Sequence, residues 1–198
     1  MDLVFDLGNV LLRWDPRNLY SKVFADEARM ERFLAGACSL AWILSIDGCD
    51  DFAEPIARRA KEFPEFADEL ALFDKRWLET LDGAIEENLA VMRALKARGR
   101  PVYGLTNFPA QKFEASRTLY PFLDEFDAIV VSGREGVTKP DPRIYEILFS
   151  RAGRAPQELL FIDDVARNIA AAEKLGMAGI VYGPQVDLAA ELRARGIL

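Results

Sequence analysis

The feature that most constrains the fold of this chain is a set of short apolar runs, each of which ends in polar residues. In the first of them, residues 3–5 (Leu-Val-Phe) are followed at once by Asp6 and then by a Gly-Asn pair. Such runs are typical of strands buried on both faces of a parallel sheet, whose carboxyl ends line a ligand-binding crevice. Asp6 is therefore placed to act as a nucleophile or a metal ligand at the mouth of a sheet.

Later segments repeat this arrangement. One apolar run closes with a Thr-Asn pair, another closes with two acids, and a lysine stands in the segment Thr-Lys-Pro-Asp-Pro. The carboxyl ends of parallel strands meet at one edge of the sheet, so these side chains are expected to lie close together. The residues expected to converge are Asp6, Thr106, Lys139, Asp163 and Asp164.

Apolar runs alternate with helical patterns along most of the chain, which predicts an α/β fold with a doubly wound parallel sheet. The expected strands are 3–5, 102–105, 128–131, 159–162 and 179–181, and the expected helices include 85–98, 141–151 and 166–175. Asp141 and Pro142 form a typical helix start, whereas Gly99, Gly153 and Gly176 stand where helices are expected to end.

Residues 15–81 show no strand pattern, and their apolar residues recur at helical spacing, as at Leu70 and Phe73. We therefore expect a helical insertion that follows the first strand. The predicted division of the chain is a core made of 1–14 and 82–198, with the insertion at 15–81.

The composition restricts the chemistry that the chain can perform. It contains no histidine, which excludes Ser-His-Asp hydrolysis, histidine acid-base catalysis and the common zinc sites. Cys38 and Cys49 are too few for a disulfide framework, and we expect both to be ordinary packing residues. Catalysis must then rest on carboxylates, lysine, hydroxyls and hard metal ions.

Charge and hydropathy exclude two classes of partner. The net charge is −7 and the basic residues are scattered among acids, so the chain offers no basic stripe for nucleic acid. No stretch approaches the roughly 18 apolar residues of a membrane span, and the N-terminus enters the first strand without a secretory leader. We expect a cytoplasmic protein that binds neither nucleic acid nor membranes. The oligomeric state stays open.

Four segments, taken in order, resemble the motifs of the haloacid dehalogenase-like (HAD) hydrolase superfamily. They are Phe-Asp-Leu-Gly-Asn-Val at 5–10, Leu-Thr-Asn at 105–107, Lys-Pro-Asp-Pro-Arg-Ile-Tyr at 139–145 and Phe-Ile-Asp-Asp at 161–164. The first has the pattern Asp-x-Gly-Asn, and members of this family with that pattern include phosphatases. The resemblance spans almost the whole chain and implies a Rossmann-like core with a helical cap at 15–81.

The resemblance implies a phosphatase of small phosphate esters. Asp6 would attack phosphorus to form an aspartyl-phosphate, which water then hydrolyses. A carboxylate that approaches a phosphate dianion needs a cation beside it, and Mg²⁺ suits oxygen ligands. The implied metal ligands are Asp6, the backbone carbonyl of Gly8, Asp163 and Asp164; two solvated acids that cap a helix are the alternative for the last pair.

The remaining motif residues are implied to bind the substrate. Thr106 and Asn107 would hold phosphate oxygens at a helix start, with Gly8 and Asn9 nearby, although a Thr-Asn pair is also common in plain turns. Lys139 would offset the charge of the phosphate and of the nucleophile, or would be a solvated surface lysine.

One departure from the family pattern concerns the proton donor. Phosphatases of this family usually carry a second aspartate two residues after the nucleophile, and here Gly8 takes that place. The loss of a general acid should cost about 10²–10⁴-fold in rate. The protein is then a slow phosphatase acting on good leaving groups, or an acid such as Asp15 or Asp47 replaces the missing one, or the chemistry differs.

Two other functions compete with the phosphatase. A 2-haloacid dehalogenase would use Asp6 without metal, and halide leaves without protonation. A non-catalytic relative would use aromatic residues of the insertion, namely Trp42, Phe63, Phe66, Phe73 and Trp77, as anchors for a protein partner.

The sequence leaves the roles of several residues and the substrate open. Asn168 either reaches the metal shell or decorates its helix. Arg13, Arg17 and Trp14 either meet a second anionic group or a sugar face of the substrate, or pin the insertion to the core.

Overall fold

The fold is built from seven strands, and the computed structural model describes residues 1–49 and 51–198. The strands are β1 (Asp2–Phe5), β2 (Leu12–Trp14), β3 (Leu81–Ala84), β4 (Val102–Thr106), β5 (Ala128–Val131), β6 (Leu159–Asp163) and β7 (Ala178–Val181). The five strands that the apolar runs predicted are present, and each lies within one residue of its expected bounds.

Helices connect these strands. They are α1 (Arg17–Tyr20), α2 (Glu27–Ala35), α3 (Leu40–Ile46), α4 (Ala53–Glu62), α5 (Ala67–Lys75), α6 (Glu86–Ala97), α7 (Ala110–Leu119), α8 (Ser132–Glu135), α9 (Pro142–Ala152), α10 (Ala166–Lys174) and α11 (Leu188–Ala194). Short 3-10 turns lie at Pro64–Phe66, Trp77–Thr80, Pro121–Asp124 and Pro156–Glu158. No helix of the described residues combines the length and the apolar character needed to cross a membrane.

Five of the strands form a parallel sheet with the order β5-β4-β1-β6-β7. Its two faces are both covered. Leu3 and Phe5 belong to a cluster with α6, α7 and α11, whereas Val4 points to a cluster with α9 and α10. This burial on both sides explains why the strands are continuous apolar runs. The predicted doubly wound α/β sheet is confirmed.

β1 lies in the middle of the sheet. Phe5 is opposite Gly104 of β4 and Ile162 of β6, and the Asp6 amide continues the ladder by donating to the Ile162 carbonyl at 2.9 Å. Asp6 therefore leaves the sheet at its carboxyl edge, between the ends of β4 and β6.

The predicted start of α9 is confirmed. Asp141 is its N-cap and accepts a hydrogen bond from the Arg143 amide, and Pro142 is the first helical residue. Gly153 ends the helix in the left-handed region, with φ of 60°, where a residue without Cβ is favoured. The loop that carries Lys139 is thus anchored at the start of a stable helix.

The sequence did not reveal the small antiparallel pair of β2 and β3. These strands are only three and four residues long and include Arg13, Asp82 and Gly83, so no alternation of apolar and polar residues marks them. Helices α1–α5 lie between the two strands, and Arg13 donates to the Ala84 carbonyl at 2.6 Å across the pair. The division into a core at 1–14 and 82–198 and a cap at 15–81 stays a prediction.

The aromatic residues of the insertion pack on one another instead of forming an outward surface. Phe66, Phe73 and Trp77 are buried, and the Trp42 ring lies 6.0 Å from that of Phe73. Phe63 is covered by the Arg59 guanidinium, 4.4 Å from its ring centroid. The alternative that these side chains serve as anchors for a protein partner is therefore excluded for Phe66, Phe73 and Trp77, because the insertion uses them as its own core.

Candidate active site

Three carboxylates meet at the carboxyl edge of the sheet. Asp6 follows β1, Asp163 is the last residue of β6, and Asp164 is the next one. One carboxylate oxygen from each lies within 4.8 Å of the others. The convergence expected from the strand ends is present, because the central position of β1 beside β6 brings the two strand ends together.

Lys139 bridges two of these acids. Its Nζ lies 2.9 Å from Asp6 Oδ1 and 2.7 Å from Asp163 Oδ2, and it also donates to the Leu105 carbonyl at 3.1 Å. The residue is only 4% exposed, so the alternative of a solvated surface lysine is excluded.

The Asn107 side chain holds the lysine loop. Its Nδ2 donates to the Lys139 carbonyl at 3.1 Å, and its Oδ1 accepts from the Lys139 amide at 2.8 Å. The side-chain amide of Asn107 therefore holds the lysine loop, while the residue also lines the cavity beside Asp6, and its role toward phosphate stays a prediction. The expected helix start at Thr106 and Asn107 is wrong, because Pro109 is the N-cap of α7; Thr106 is buried at the end of β4.

Gly8 and Asn9 form the turn beside the nucleophile. Asn9 has a φ of 53°, in the left-handed region that asparagine tolerates, and its Oδ1 accepts from the Trp14 amide at 3.1 Å. The Asn9 side chain also lowers the pKa of the neighbouring Asp164 carboxyl, against the effect of burial. Asn9 thus shapes the turn beside the nucleophile. The Gly8 carbonyl accepts no hydrogen bond within the described chain.

Asn168 belongs to the site although the sequence left its role open. It lies in the first turn of α10 and is buried, and its Nδ2 donates to both carboxylate oxygens of Asp163 at 3.1 Å. Its Oδ1 is buried without a hydrogen-bond partner among the described residues. The alternative that Asn168 merely decorates its helix is excluded.

The site carries excess negative charge. Three carboxylates and one ammonium leave two negative charges in a largely buried cluster. Burial raises the pKa of Asp6 to about 7, although Lys139 opposes the shift. Burial also raises the pKa of Asp164, and the charge of Asp163 adds to that effect. Burial lowers the pKa of Lys139, but Asp163 and Asp6 outweigh it, and the net shift is upward.

These residues fit a divalent cation. Carboxylate and carbonyl oxygens are the ligands that Mg²⁺ prefers, and a charge of +2 would balance the cluster. Two further oxygen atoms that could bind a metal have no hydrogen-bond partner among the described residues. They are the Gly8 carbonyl oxygen and the buried Asn168 Oδ1, and they support the same conclusion. A metal here would offset the charge repulsion among these acids, which adds to the effect of burial on the pKa of Asp6 and Asp164.

A cavity of about 190 Å³ opens above the nucleophile. Asp6, Lys139, Asp164 and Asn168 lie on its polar side. The rest of its wall is largely apolar, formed by Leu12, Trp14, Leu40, Leu44, Trp77, Leu81, Phe108, Pro109 and Val165.

One acid reaches this cavity from the insertion. Asp47 follows α3 and lines the cavity, and its backbone carbonyl accepts a hydrogen bond from Ser132 Oγ at 3.0 Å. Burial and, to a smaller extent, the charge of Asp6 raise the pKa of Asp47 to about 7. Lys139 opposes this shift. Asp15, the other acid suggested by the sequence, lines a separate surface depression and accepts from the Arg17 amide.

The family comparison agrees with the geometry. The model of the haloacid dehalogenase-like hydrolases matches residues 3–176. The sesquiterpene phosphatase astK of Aspergillus oryzae is 36% identical over 104 residues, which cover 52% of this chain and 53% of astK. The matched segments span about half or less of the curated relatives that the chain resembles.

Solved structures share the fold. The HAD family enzyme BT-2542 from Bacteroides thetaiotaomicron, in complex with magnesium and inorganic phosphate, has a TM-score of 0.71 and 21% identity, covering 96% of this chain and 98% of that chain. The 2-haloacid dehalogenase from Pseudomonas syringae pv. Tomato DC3000 has a TM-score of 0.61 and 18% identity, covering 98% of each chain. At such identities the likeness shows the fold alone.

Proposed function

Because the chain belongs to the haloacid dehalogenase-like hydrolase family, we propose that it is a Mg²⁺-dependent phosphomonoester hydrolase that acts on a small phosphorylated metabolite. In this proposal Asp6 is the nucleophile, residues 15–81 form the cap over it, and the protein works in the cytoplasm.

The observation that carries the proposal is the charge of the cluster. Lys139 pairs with Asp6 and Asp163, and Asp164 adds a third carboxylate close to them, so the cluster fits a divalent cation and, with it, a phosphate. Mg²⁺ held by Asp6, the Gly8 carbonyl, Asp163 and Asp164 would neutralise the phosphate and allow an anionic nucleophile to approach it. Asn168 orients Asp163 through two hydrogen bonds and is a positioning residue.

The first half of the reaction forms a bond between an Asp6 oxygen and phosphorus while the bond from phosphorus to the ester oxygen breaks. The departing alkoxide takes its proton from Asp47, because a pKa of about 7 leaves about half of this carboxyl protonated at neutral pH. Lys139, fixed by the Asn107 side chain, stabilises the charge that gathers on the phosphoryl oxygens.

The second half returns the enzyme to its starting state. Water attacks phosphorus of the aspartyl-phosphate, the bond to Asp6 breaks, and the Asp47 carboxylate takes the proton of the attacking water. Inorganic phosphate leaves, and both acids recover their original protonation. Asp47 thereby performs the acid-base work for which Gly8 has no side chain.

Dehalogenation of a 2-haloacid is the second candidate, supported by the shared fold of a known dehalogenase. The charge of the site argues against it. A haloacid is itself anionic, and a cluster with two excess negative charges would repel it unless a metal were bound. The named activity of astK, a phosphatase, favours the first candidate.

Product release distinguishes the two activities. The purified chain is incubated with an aryl phosphate or a 2-haloacid, each with Mg²⁺ and with excess chelator. The proposal expects phosphate release that requires Mg²⁺, no halide release, and a phosphoryl group on the peptide containing Asp6 after rapid acid quench. Metal-independent halide release would establish the dehalogenase instead, and phosphate release without a phosphoryl group on that peptide would remove Asp6 as nucleophile.

A further inference from the structure

The cavity has a polar side and an apolar side, and apolar residues make up most of its wall. We propose that the alcohol part of the substrate is an apolar hydrocarbon group seated between the insertion and the core. This inference rests on the proposed phosphatase function and specifies the class of ester that the site hydrolyses.

The apolar wall is assembled from both parts of the chain. Leu40 and Leu44 come from α3, Trp77 comes from the turn before β3, and Leu12 and Phe108 come from the core. The Trp77 and Phe108 rings meet edge to face with centroids 4.9 Å apart, and both residues are 5% exposed. Two large rings fixed against each other form a rigid surface suited to a flat or branched hydrocarbon.

The volume limits the size of the enclosed group. The whole cavity, about 190 Å³, must hold the phosphate as well, and it compares with an engineered cavity of about 150 Å³, lined by Leu, Ile and Phe, that binds benzene. The enclosed part of the hydrocarbon therefore has less than the full cavity volume. Leu40 extends the apolar surface outward, since it lines the cavity and is 56% exposed. A longer hydrocarbon chain could therefore continue along Leu40 toward solvent.

The cations near the cavity do not suit a second anionic group on the substrate. Arg13 donates to the Ala84 carbonyl, and Arg17 pairs with Glu31 at 2.8 Å. Neither contact joins the insertion to the core, because Arg13 and Ala84 both lie in the predicted core and Arg17 and Glu31 both lie in the insertion. Arg167 lines the cavity on the side of Asp164 and Asn168, where the phosphate itself would lie.

A homologous series of primary n-alkyl phosphates, from ethyl to octyl, tests the inference. Every member has a similar alkoxide leaving group. Differences in kcat/KM therefore report contacts between the alkyl group and the protein and not the reactivity of the ester. Each buried methylene should raise kcat/KM by about fourfold until the cavity is filled, after which the values level off. Glycerol phosphate, which is polar and of similar size to propyl phosphate, should be a poorer substrate than propyl phosphate.

A matched pair of leucines serves as the control. Leu40→Asn should lower kcat/KM for octyl phosphate by roughly fivefold and change ethyl phosphate by less than about twofold. Leu119→Asn, which replaces an equally exposed leucine (55%) outside the cavity, should change neither.

The outcomes separate failure of the inference from failure of the proposed function. Phosphate release that is flat along the series, or that favours glycerol and sugar phosphates, would overturn the inference and leave the phosphatase in place. Equal effects of Leu40→Asn and Leu119→Asn would also overturn it. No phosphate release from any alkyl or aryl phosphate in the presence of Mg²⁺ would overturn the proposed function and this inference with it.

Discussion

The cavity is bounded by two regions that are held in different ways. The polar floor is made of Asp6, Lys139, Asp164 and Asn168. Ion pairs and hydrogen bonds hold it at the strand ends, because Lys139 pairs with Asp6 and with the buried Asp163, to which Asn168 also donates. The apolar roof is made of Leu40, Leu44 and Trp77 of the insertion, of which Trp77 packs into the main hydrophobic core.

This difference determines what a substitution can do. In the floor, the loss of one group leaves a buried charge without its partner, which is costly in a medium of low dielectric constant. In the roof, the loss of one group removes apolar contact area, which changes the free energy of binding gradually. Changes in the floor should therefore affect chemistry and stability, and changes in the roof should affect substrate preference. Asp47 is the exception, because it is a titratable group that reaches the site from the insertion.

The largest effect is expected for Asp6→Asn. The amide keeps the shape of the carboxylate but is a far poorer nucleophile, so phosphate release should fall by about 10⁵-fold or more. Burial raises the pKa of Asp6 to about 7, so removing its charge should not destabilise the fold. Steady-state assays and thermal unfolding measure the two effects. Activity within about tenfold of the parent would remove Asp6 from the mechanism.

Lys139→Met tests the charge balance of the floor. It leaves the buried carboxylates of Asp6 and Asp163 without a cation, which should lower the free energy of unfolding by about 3–5 kcal/mol. Urea unfolding at pH 8 with a chelator measures this change.

The surface variant Lys112→Met is the matched control for Lys139→Met. It breaks a more exposed ion pair with Asp74 and should cost about 1 kcal/mol or less. Equal costs for the two variants would mean that the charges of the floor are not effectively buried.

Asp47→Asn tests the one titratable group of the roof. Activity on alkyl phosphates should fall by about 10²–10⁴-fold, whereas activity on aryl phosphates, whose aryl oxides leave without protonation, should be affected less.

Because burial raises the pKa of Asp47 to about 7, the acid form is lost as the pH rises through this value, and the parent should lose activity there. The charged groups that act on Asp47 are Asp6 and Lys139.

The pH profile separates Asp47 from other groups. The alkaline decline should disappear in Asp47→Asn and persist in Asp15→Asn, whose carboxylate lies in a different depression. An unchanged alkaline decline in Asp47→Asn would assign the proton donor elsewhere.

Asn168→Leu should weaken Mg²⁺ binding although it leaves all of the proposed carboxylate ligands of the metal in place. It deletes both hydrogen bonds that orient Asp163, so the Mg²⁺ concentration for half-maximal activity should rise by about 10–100-fold. Activity at saturating Mg²⁺ should recover most of its parent value. Asn88→Leu also removes a buried amide, one that donates to the Val10 carbonyl, and should lower stability without changing the Mg²⁺ requirement. The same Mg²⁺ requirement in both variants would contradict the role of Asn168.

The smallest effect is expected for Gly8→Asp in the Asp47→Asn background, which transfers the proton donor from position 47 to position 8. Gly8 has no atom within 4 Å of an added Cβ and no positive φ, so Gly8→Asp should fold normally. In the Asp47→Asn background it should restore alkyl phosphate turnover by about tenfold or more and change aryl phosphates little. Equal changes on both substrates would mean that protonation does not limit the rate.

The sequence by itself determined the features that depend on local order along the chain. Apolar runs that end in polar residues located the five strands of the parallel sheet to within one residue and placed Asp6, Lys139, Asp163 and Asp164 together. This succeeded because a strand buried on both faces must be apolar throughout, and because parallel strands end at one edge. The helix start at Pro142 was predictable for the same reason, since capping involves only neighbouring residues.

Tertiary structure alone decided which of several equivalent polar residues take part. Asp15 and Asp47 look alike in the sequence, and only the packing of the insertion on the core places Asp47 in the cavity. Asn107 could have faced a phosphate, but the lysine loop lies where it can satisfy both ends of the amide. Contacts between residues far apart in the chain depend on how whole elements pack, and no local pattern records that arrangement.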